Sequence, residues 1–192
     1  PAGSMPLGAG RALHHPELYL GNEDRIGLVG RNGAGKSTLL RALLRRVTLS
    51  EGVAYLPQEA DDGEVRALLA ELNGLSPVER GRVLSIVARL ESPPSRVLDG
   101  EDLSPGEVRK LLIARSLLSS PHLIVMDEPT NHLDIRSIEA LQDVLGECAC
   151  ALVLVSHDEQ FLDALVNERW VFEVERAKGE VGLGDTYVRA VR

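Results

Sequence analysis

The stretch Gly30-Arg31-Asn32-Gly33-Ala34-Gly35-Lys36-Ser37 has the spacing G-x-x-x-x-G-K-[ST]. Glycines at these positions let the backbone curl until successive N–H groups face one point, which suits a phosphate. A helix starting at Lys36 adds the positive potential of its N-terminus. Lys36 would reach the β- and γ-phosphates of a nucleotide, and the Ser37 hydroxyl would ligate Mg2+. Far downstream, the apolar run Leu123-Ile124-Val125-Met126 ends in two acids, Asp127 and Glu128. A buried parallel strand delivers carboxylates in this way to the sheet edge where ligands bind. Side chains diverge along a strand, so the two acids take different tasks. Asp127 would hold Mg2+, directly or through water, and Glu128 would polarise an attacking water as general base or by orienting it.

The elements that must position these groups are legible around them. Residues 25–29 read as a short buried strand running into the glycine-rich turn, and Lys36 to about Arg46 as a helix with Leu39, Leu40, Leu43 and Leu44 on one face. Gly52 to Leu56 is a second short strand, closed by Pro57. Residues 61–102 change character: two amphipathic helices, about 64–72 and 77–90, precede a connector around Ser92-Pro93-Pro94-Ser95. Ser104-Pro105-Gly106-Glu107 then starts a helix that runs to about Leu118, with Ser as N-cap, Pro at N1 and Glu at N3. Strand 123–127, a helix near 135–146, strand 151–155 and a helix from Glu159 to Val166 follow. This alternation implies a parallel sheet with crossover helices, an α/β fold. Trp170 to Val174 and the segment near Gly182-Leu183-Gly184 read as short strands or a hairpin.

At 192 residues the chain supports one domain with a small inserted lobe. Only 3% of residues are aromatic, so Leu, Val, Ile and Ala must build the core. A formal charge of −8 excludes a uniformly basic surface for nucleic acid, although Arg41, Arg45 and Arg46 cluster locally. No apolar run reaches the roughly 20 residues that span a bilayer, and no signal peptide is visible, so a cytoplasmic protein is expected. Cys148 and Cys150 flank Ala149 ahead of an apolar run; an intrachain disulfide between them is not expected, and they read as buried reduced thiols. His14-His15 has no metal-ligand companions and reads as a solvated pair. Residues 1–4 read as an expression scar ahead of Met5 and are left out of the expected fold.

The order of these motifs resembles that of ATP-binding cassette (ABC) ATPases over nearly the whole chain. The series runs from the P-loop through Gln58 after a strand, a helical insertion and Leu103-Ser104-Pro105-Gly106-Glu107, to Asp127-Glu128 and His157. The resemblance implies a P-loop NTPase with a parallel core sheet and an abbreviated antiparallel β lobe. A helical subdomain, about 59–102, is inserted in a single domain spanning 5–192. It implies that Gly30, Asn32, Gly33, Ala34, Gly35, Lys36, Ser37, Thr38 and Gln58 bind ATP, and that Gln58 joins Ser37 and Asp127 around Mg2+. His157 corresponds to a histidine that contacts the γ-phosphate and is placed, with Glu128 and Lys36, among the catalytic residues.

Ser104, Gly106 and Glu107 correspond to a signature that contacts the γ-phosphate of ATP held by a second cassette, through helix N-terminus physics. Two departures stand out: Pro105 replaces a glycine and removes one N–H donor, and Glu107 replaces the commoner glutamine. Thr130-Asn131-His132-Leu133-Asp134 is similar to the D-loop region of the ABC-F branch, with Asp134 as its acid, and Ser156 to Leu162 also resembles that branch. ABC-F proteins carry two cassettes and act on ribosomes as translation factors or antibiotic-resistance factors. The implied partners are a second cassette and, through the full-length protein, the ribosome, without direct membrane insertion. The alternative is the ATP-binding subunit of a membrane transporter. Family cassettes stack adenine on an aromatic residue upstream of the P-loop, about where Leu7 stands; Tyr19 reads as lying too near the P-loop, on the strand leading to it.

Overall fold

The computed structural model describes residues 2–46, 52–59, 61–99, 103–176 and 183–192. Its centre is a run of apolar segments short enough to be strands and flanked by helices. These are β3 (Arg25–Gly30), β4 (Val53–Leu56), β5 (Leu123–Asp127) and β6 (Ala151–Val155). Together with β7 (Glu168–Arg176) they pair in parallel, in the order β7-β3-β6-β5-β4. Every residue of β5 and β6 is buried, the pattern of strands covered on both faces.

The two-residue period of the strands sorts their side chains between two cores. Leu123, Val125, Ala151, Val153 and Val155 pack with Ile26, Leu28, Leu39 and Leu40, on the face covered by α1 (Lys36–Arg46). Ile124, Met126, Leu152 and Leu154 pack on the other face, against α5 (Pro105–Leu118), α6 (Ile135–Gly146) and α7 (Glu159–Leu165). Asp127 shares the parity of Leu123 and Val125, so it is delivered to the α1 side.

Two helices, α2 (Asp62–Gly74) and α3 (Pro77–Arg89), form a lobe beside the sheet. Each begins with a capping box, Asp61 with Glu64 and Ser76 with Glu79, which explains the sharp starts. Leu68, Leu72, Val83 and Val87 pack there against Leu111 and Ala114, so α5 belongs to both the lobe and the sheet. The Ser/Pro segment expected as a connector contains a helix, α4 (Pro94–Asp99). Pro94 sits at its first position, where a proline ring is compatible with helical φ and no N–H is needed.

The β lobe is continuous with the core sheet rather than separate. Residues β1 (Gly3–Gly8) and β2 (Arg11–His15) form a hairpin, β2 pairs in parallel with β8 (Leu183–Val191), and β8 returns antiparallel to β7. Gly3 and Ser4, left out of the expected fold, pair with His15 and His14. The expected tail hairpin exists as two nine-residue strands; Gly182 lies outside the described residues. Tyr19 is not on a strand but in an exposed connection between β2 and β3. His14 is not solvated alone, since its ring stacks on Tyr187 at 4.9 Å and meets Asp185 at 3.3 Å. Both cysteines are free thiols; Cys150 is buried as expected, whereas Cys148, in the turn after α6, is only half-buried. Among the described residues no helix is long and apolar enough to cross a membrane.

Leu154 on β6 is fully buried, whereas Ile135 is 75% exposed. Leu154→Ala should cost about 2–5 kcal/mol and Ile135→Ala less than about 0.5 kcal/mol, measured by urea unfolding.

Candidate functional site

The carboxyl ends of β3, β5 and β6 open on one cleft of about 670 Å3. After β3 the chain turns through Gly33 and Gly35 with φ of 77° and 98°, left-handed values that a side chain would resist. A Cβ at Gly35 would also stand 2.6 Å from a Leu7 methyl, so β1 rests directly on this turn. Asn32, Gly33, Ala34, Gly35, Lys36, Ser37 and Thr38 line the cleft. Gly30 does not: its carbonyl accepts a hydrogen bond from Lys36 Nζ at 2.6 Å, and its Cα faces Phe172 of β7 too closely for any side chain. Lys36 Nζ also donates to Arg31 O at 3.2 Å. Burial pulls the Lys36 pKa down, and the carboxylates of Glu128 and Asp127 push it back up.

Asp127 ends β5 with its Oδ2 3.0 Å from the Ser37 hydroxyl, which donates to it. The next residue leaves the strand abruptly. Glu128 takes φ 48°, a left-handed value unusual for a non-glycine, while its N–H bonds Val155 O at 2.8 Å. Its side chain is thereby sent toward the end of β6. Glu128 Oε1 lies 3.4 Å from His157 Nε2, Oε2 accepts from the His157 N–H at 3.4 Å, and His157 Nε2 is 2.9 Å from Asn32 Oδ1. Burial raises the Glu128 pKa; His157 and Lys36 oppose it. The two acids therefore face different partners, Ser37 and His157, although a backbone turn rather than strand alternation separates them.

This arrangement can hold a polyphosphate. Backbone N–H groups, the α1 N-terminus and Lys36 supply positive charge, while a serine hydroxyl and a carboxylate 3.0 Å apart form a hard-oxygen pair. That donor set fits Mg2+, which binds one or two carboxylates and completes its shell with water and substrate phosphates. Among the described residues no cluster of three or more His, Cys, Asp or Glu could hold a metal without such a ligand. Gln58 borders the same cleft at the exit of β4, exposed and free to approach a ligand there. A carboxylate with raised pKa beside a histidine is suited to accept a proton from water.

The signature residues lie elsewhere. Ser104, Gly106 and Glu107 border a separate depression with His132 and Asp134. Ser104 Oγ accepts from Glu107 N at 3.3 Å, and the Glu107 carboxylate accepts from Ser104 N at 2.8 Å, Ser104 Oγ at 2.7 Å and Arg96 Nε at 3.0 Å. Arg96 and the two Ser104 donors hold the Glu107 pKa at about 2. Pro105 supplies no N–H and the Glu107 N–H is taken by the cap, which leaves Gly106 as the first-turn donor outside the box. Gly106 has to be glycine, since a Cβ would stand 2.6 Å from His132 O. Asp134 caps α6 by accepting from Ser137 N at 2.9 Å, which lowers its pKa.

Four further residues line the cleft that were not among the expected ATP-binding or catalytic residues: Leu7, Arg11, Asn131 and Val155. Arg11 donates to Gly33 O at 2.9 Å and Gly184 O at 3.0 Å, so only the pairing of β2 with β8 brings it there. Arg109, next to the buried Lys110 on α5, is also buried behind the acids.

The model of the family described as ABC transporter matches residues 13–131. The chain is 33% identical to the ATP-binding protein Uup-like of Haemophilus influenzae over 79% of its own length and 37% of that protein's. It is 33% identical to the zinc import ATP-binding protein ZnuC of Photorhabdus laumondii, over 86% of this chain and 70% of that one. The chain thus spans only about a third of the first of these relatives. In fold it is similar to an archaeal ribosome recycling factor, aABCE1, solved with the ribosomal stalk protein aP1. The TM-score is 0.69 at 24% identity, covering 97% of this chain and 38% of that one.

Glu107 is ionised in the fold well below its ordinary value of 4.5. Its stabilisation is therefore complete above that value and lost as pH falls toward 2. Glu107→Gln should cost about 1 kcal/mol at neutral pH, roughly 2–4 °C in melting temperature. The gap between variant and wild type should close between pH 4.5 and 2 in thermal scans.

Proposed function

The chain belongs to the ABC transporter family and in its motifs is most like the ABC-F branch; on that premise we propose that it is a single ATP-hydrolysing cassette of ABC-F type. Residues 5–192 make up the cassette, with 59–102 as its inserted helical segment. The observation that carries the reading is the convergence of Lys36, Ser37, Asp127, Glu128 and His157 on one cleft behind a phosphate-shaped turn.

In this mechanism the backbone N–H groups from Asn32 to Thr38 and the Lys36 ammonium bind the ATP phosphates. Ser37 and Asp127 would hold Mg2+, with Gln58 at its margin, and the bound ion would supply positive charge that neutralises the phosphates. Glu128 orients the attacking water and takes its proton, and His157 holds Glu128 in place and faces the γ-phosphate. Ser104 and Gly106 act in trans. Their separation from the cleft within one chain, together with the family's two-cassette habit, supports head-to-tail pairing around two ATPs with a second copy or a second cassette. Nucleotide-driven closure would then act on the ribosome through the full-length protein in the cytoplasm, in translation or in antibiotic resistance. The fold likeness to a ribosome recycling factor supports that target. The zinc import relative, of which this chain covers 70%, supports a second reading as the ATPase subunit of a membrane transporter. Co-sedimentation with ribosomes in ATP favours the first; co-purification with a membrane partner favours the second.

Removing the base while keeping its shape should separate binding from turnover. Glu128→Gln should lower kcat roughly 100-fold or more with little change in ATP affinity, and should trap an ATP-bound dimer on gel filtration with ATP and Mg2+. A variant that stays monomeric at high concentration would count against the pairing.

Leu7 rests on the phosphate turn where family cassettes carry an aromatic. Leu7→Tyr should tighten ATP binding by about 0.5–1.5 kcal/mol, roughly 2- to 13-fold in Kd, through stacking on the base. Titration with a fluorescent ATP analogue measures this, with Leu7→Ala as the opposite control.

A further inference from the structure

Arg109 is a buried cation that makes no ion pair with a carboxylate among the described residues. It is only 4% exposed, one turn into α5, and its hydrogen bonds run to main-chain carbonyls. One terminal nitrogen donates to Pro57 O and, at 3.3 Å, to Gln58 O; the other donates to Asp127 O at 2.8 Å. Its Nε is buried without a hydrogen-bond partner in the described structure. Burying a guanidinium costs several kcal/mol unless its donors are met, so a residue spent this way fixes a geometry that apolar packing would leave looser. Three segments meet at this one fork: the signature helix, the exit of β4 that carries Gln58, and the end of β5 that carries Asp127 and Glu128.

The planar fork matters. An ammonium is a point donor on a flexible stem, whereas a guanidinium fixes angles between the chains it joins. Three residues before Arg109, about one helical turn, Gly106 is pressed against His132 O, with no space for a Cβ. The first turn of α5 is therefore held on one side by the loop after β5 and on the other by the Gln58 backbone.

We propose that Arg109 is a positioning residue that ties the signature surface to the nucleotide cleft, so that a shift of Gln58 on binding ATP-Mg is carried to Ser104 and Gly106. This rests on the ATPase-cassette reading of the cleft. It assigns Arg109 no contact with the nucleotide: the residue acts through the carbonyls of Pro57, Gln58 and Asp127. In the intact chain the cleft and the signature then respond together; without the fork they respond independently.

The test uses the whole chain with Arg109→Met, which keeps an apolar stem and removes the donors, and Arg109→Lys, which keeps the cation and loses the fork. ATP affinity by calorimetry, kcat, and hydrogen exchange of the segments around Gln58 and around Ser104–Val108 are measured with and without ATP-Mg. In wild type both segments should gain protection together. In Arg109→Met, Kd should change less than about 3-fold and the Gln58 segment should still respond. The Ser104 segment should not respond, and kcat should fall at least 10-fold with little change in KM. Arg109→Lys should fold and show the same loss in weaker form. The proposal is overturned if either folded variant keeps the joint response and wild-type kcat. It is also overturned if Arg109→Lys loses ATP affinity in step with kcat, because the residue would then serve the cleft itself. Wild-type protein that fails to bind ATP at all would instead sink the cassette reading.

Discussion

One backbone hydrogen bond, from Glu128 N–H to Val155 O, sets the geometry on which the cleft depends. It forms where β5 stops being a strand, and it holds Glu128 in a left-handed conformation that an L-residue occupies only at a cost of order 1–3 kcal/mol. Without it the chain would continue as a strand and send Glu128 to the face opposite Asp127, into the apolar layer with Met126 and Leu154. With it, Asp127 stays toward Ser37 on α1 while Glu128 turns along the sheet edge toward His157. Two adjacent acids thus reach two different neighbours.

The same economy governs the charges around the cleft. Positive groups approach from several elements: Lys36 from the start of α1, Arg11 from β2 and Arg109 from α5. Lys36 and Arg109 are each anchored to main-chain carbonyls as well as facing the acids. A carbonyl anchor holds a cation in place without neutralising it, so its field stays directed at the acids and at any phosphate bound between them. The capping box of α5 works in the opposite sense. Ser104 and Glu107 satisfy each other and Arg96 balances the acid, which lets a helix start with Pro105 and still expose Gly106.

Much of this was legible in the order of residues. The glycine spacing, the apolar runs ending in acids and the Ser-Pro-Gly-Glu helix start each depend on interactions between residues a few positions apart. Local rules therefore place the elements from β3 to α7, α4 apart, within about two residues of where they lie. The Ser/Pro segment misled because the same proline that reads as a breaker also starts α4. Gly30 carries a second reason to be glycine that the motif does not show: Phe172 of β7 leaves no room for a side chain.

The sequence alone determined which groups the chain can bring to a phosphate, since the glycine turn, the Ser37 and Asp127 oxygens and the Glu128 carboxylate are set by residue type and short spacing. The tertiary structure decided which groups meet. The pairing of β2 with β8 brings Leu7 and Arg11 over the phosphate turn, and the packing of α5 under β4 buries Arg109 behind Asp127. It also decided that Ser104 and Gly106 stand apart from Lys36 in one chain. The physical reason is that local sequence sets backbone conformation over a few residues, whereas contacts between residues 11 and 184 or 57 and 109 depend on how strands order and helices dock across the whole sheet.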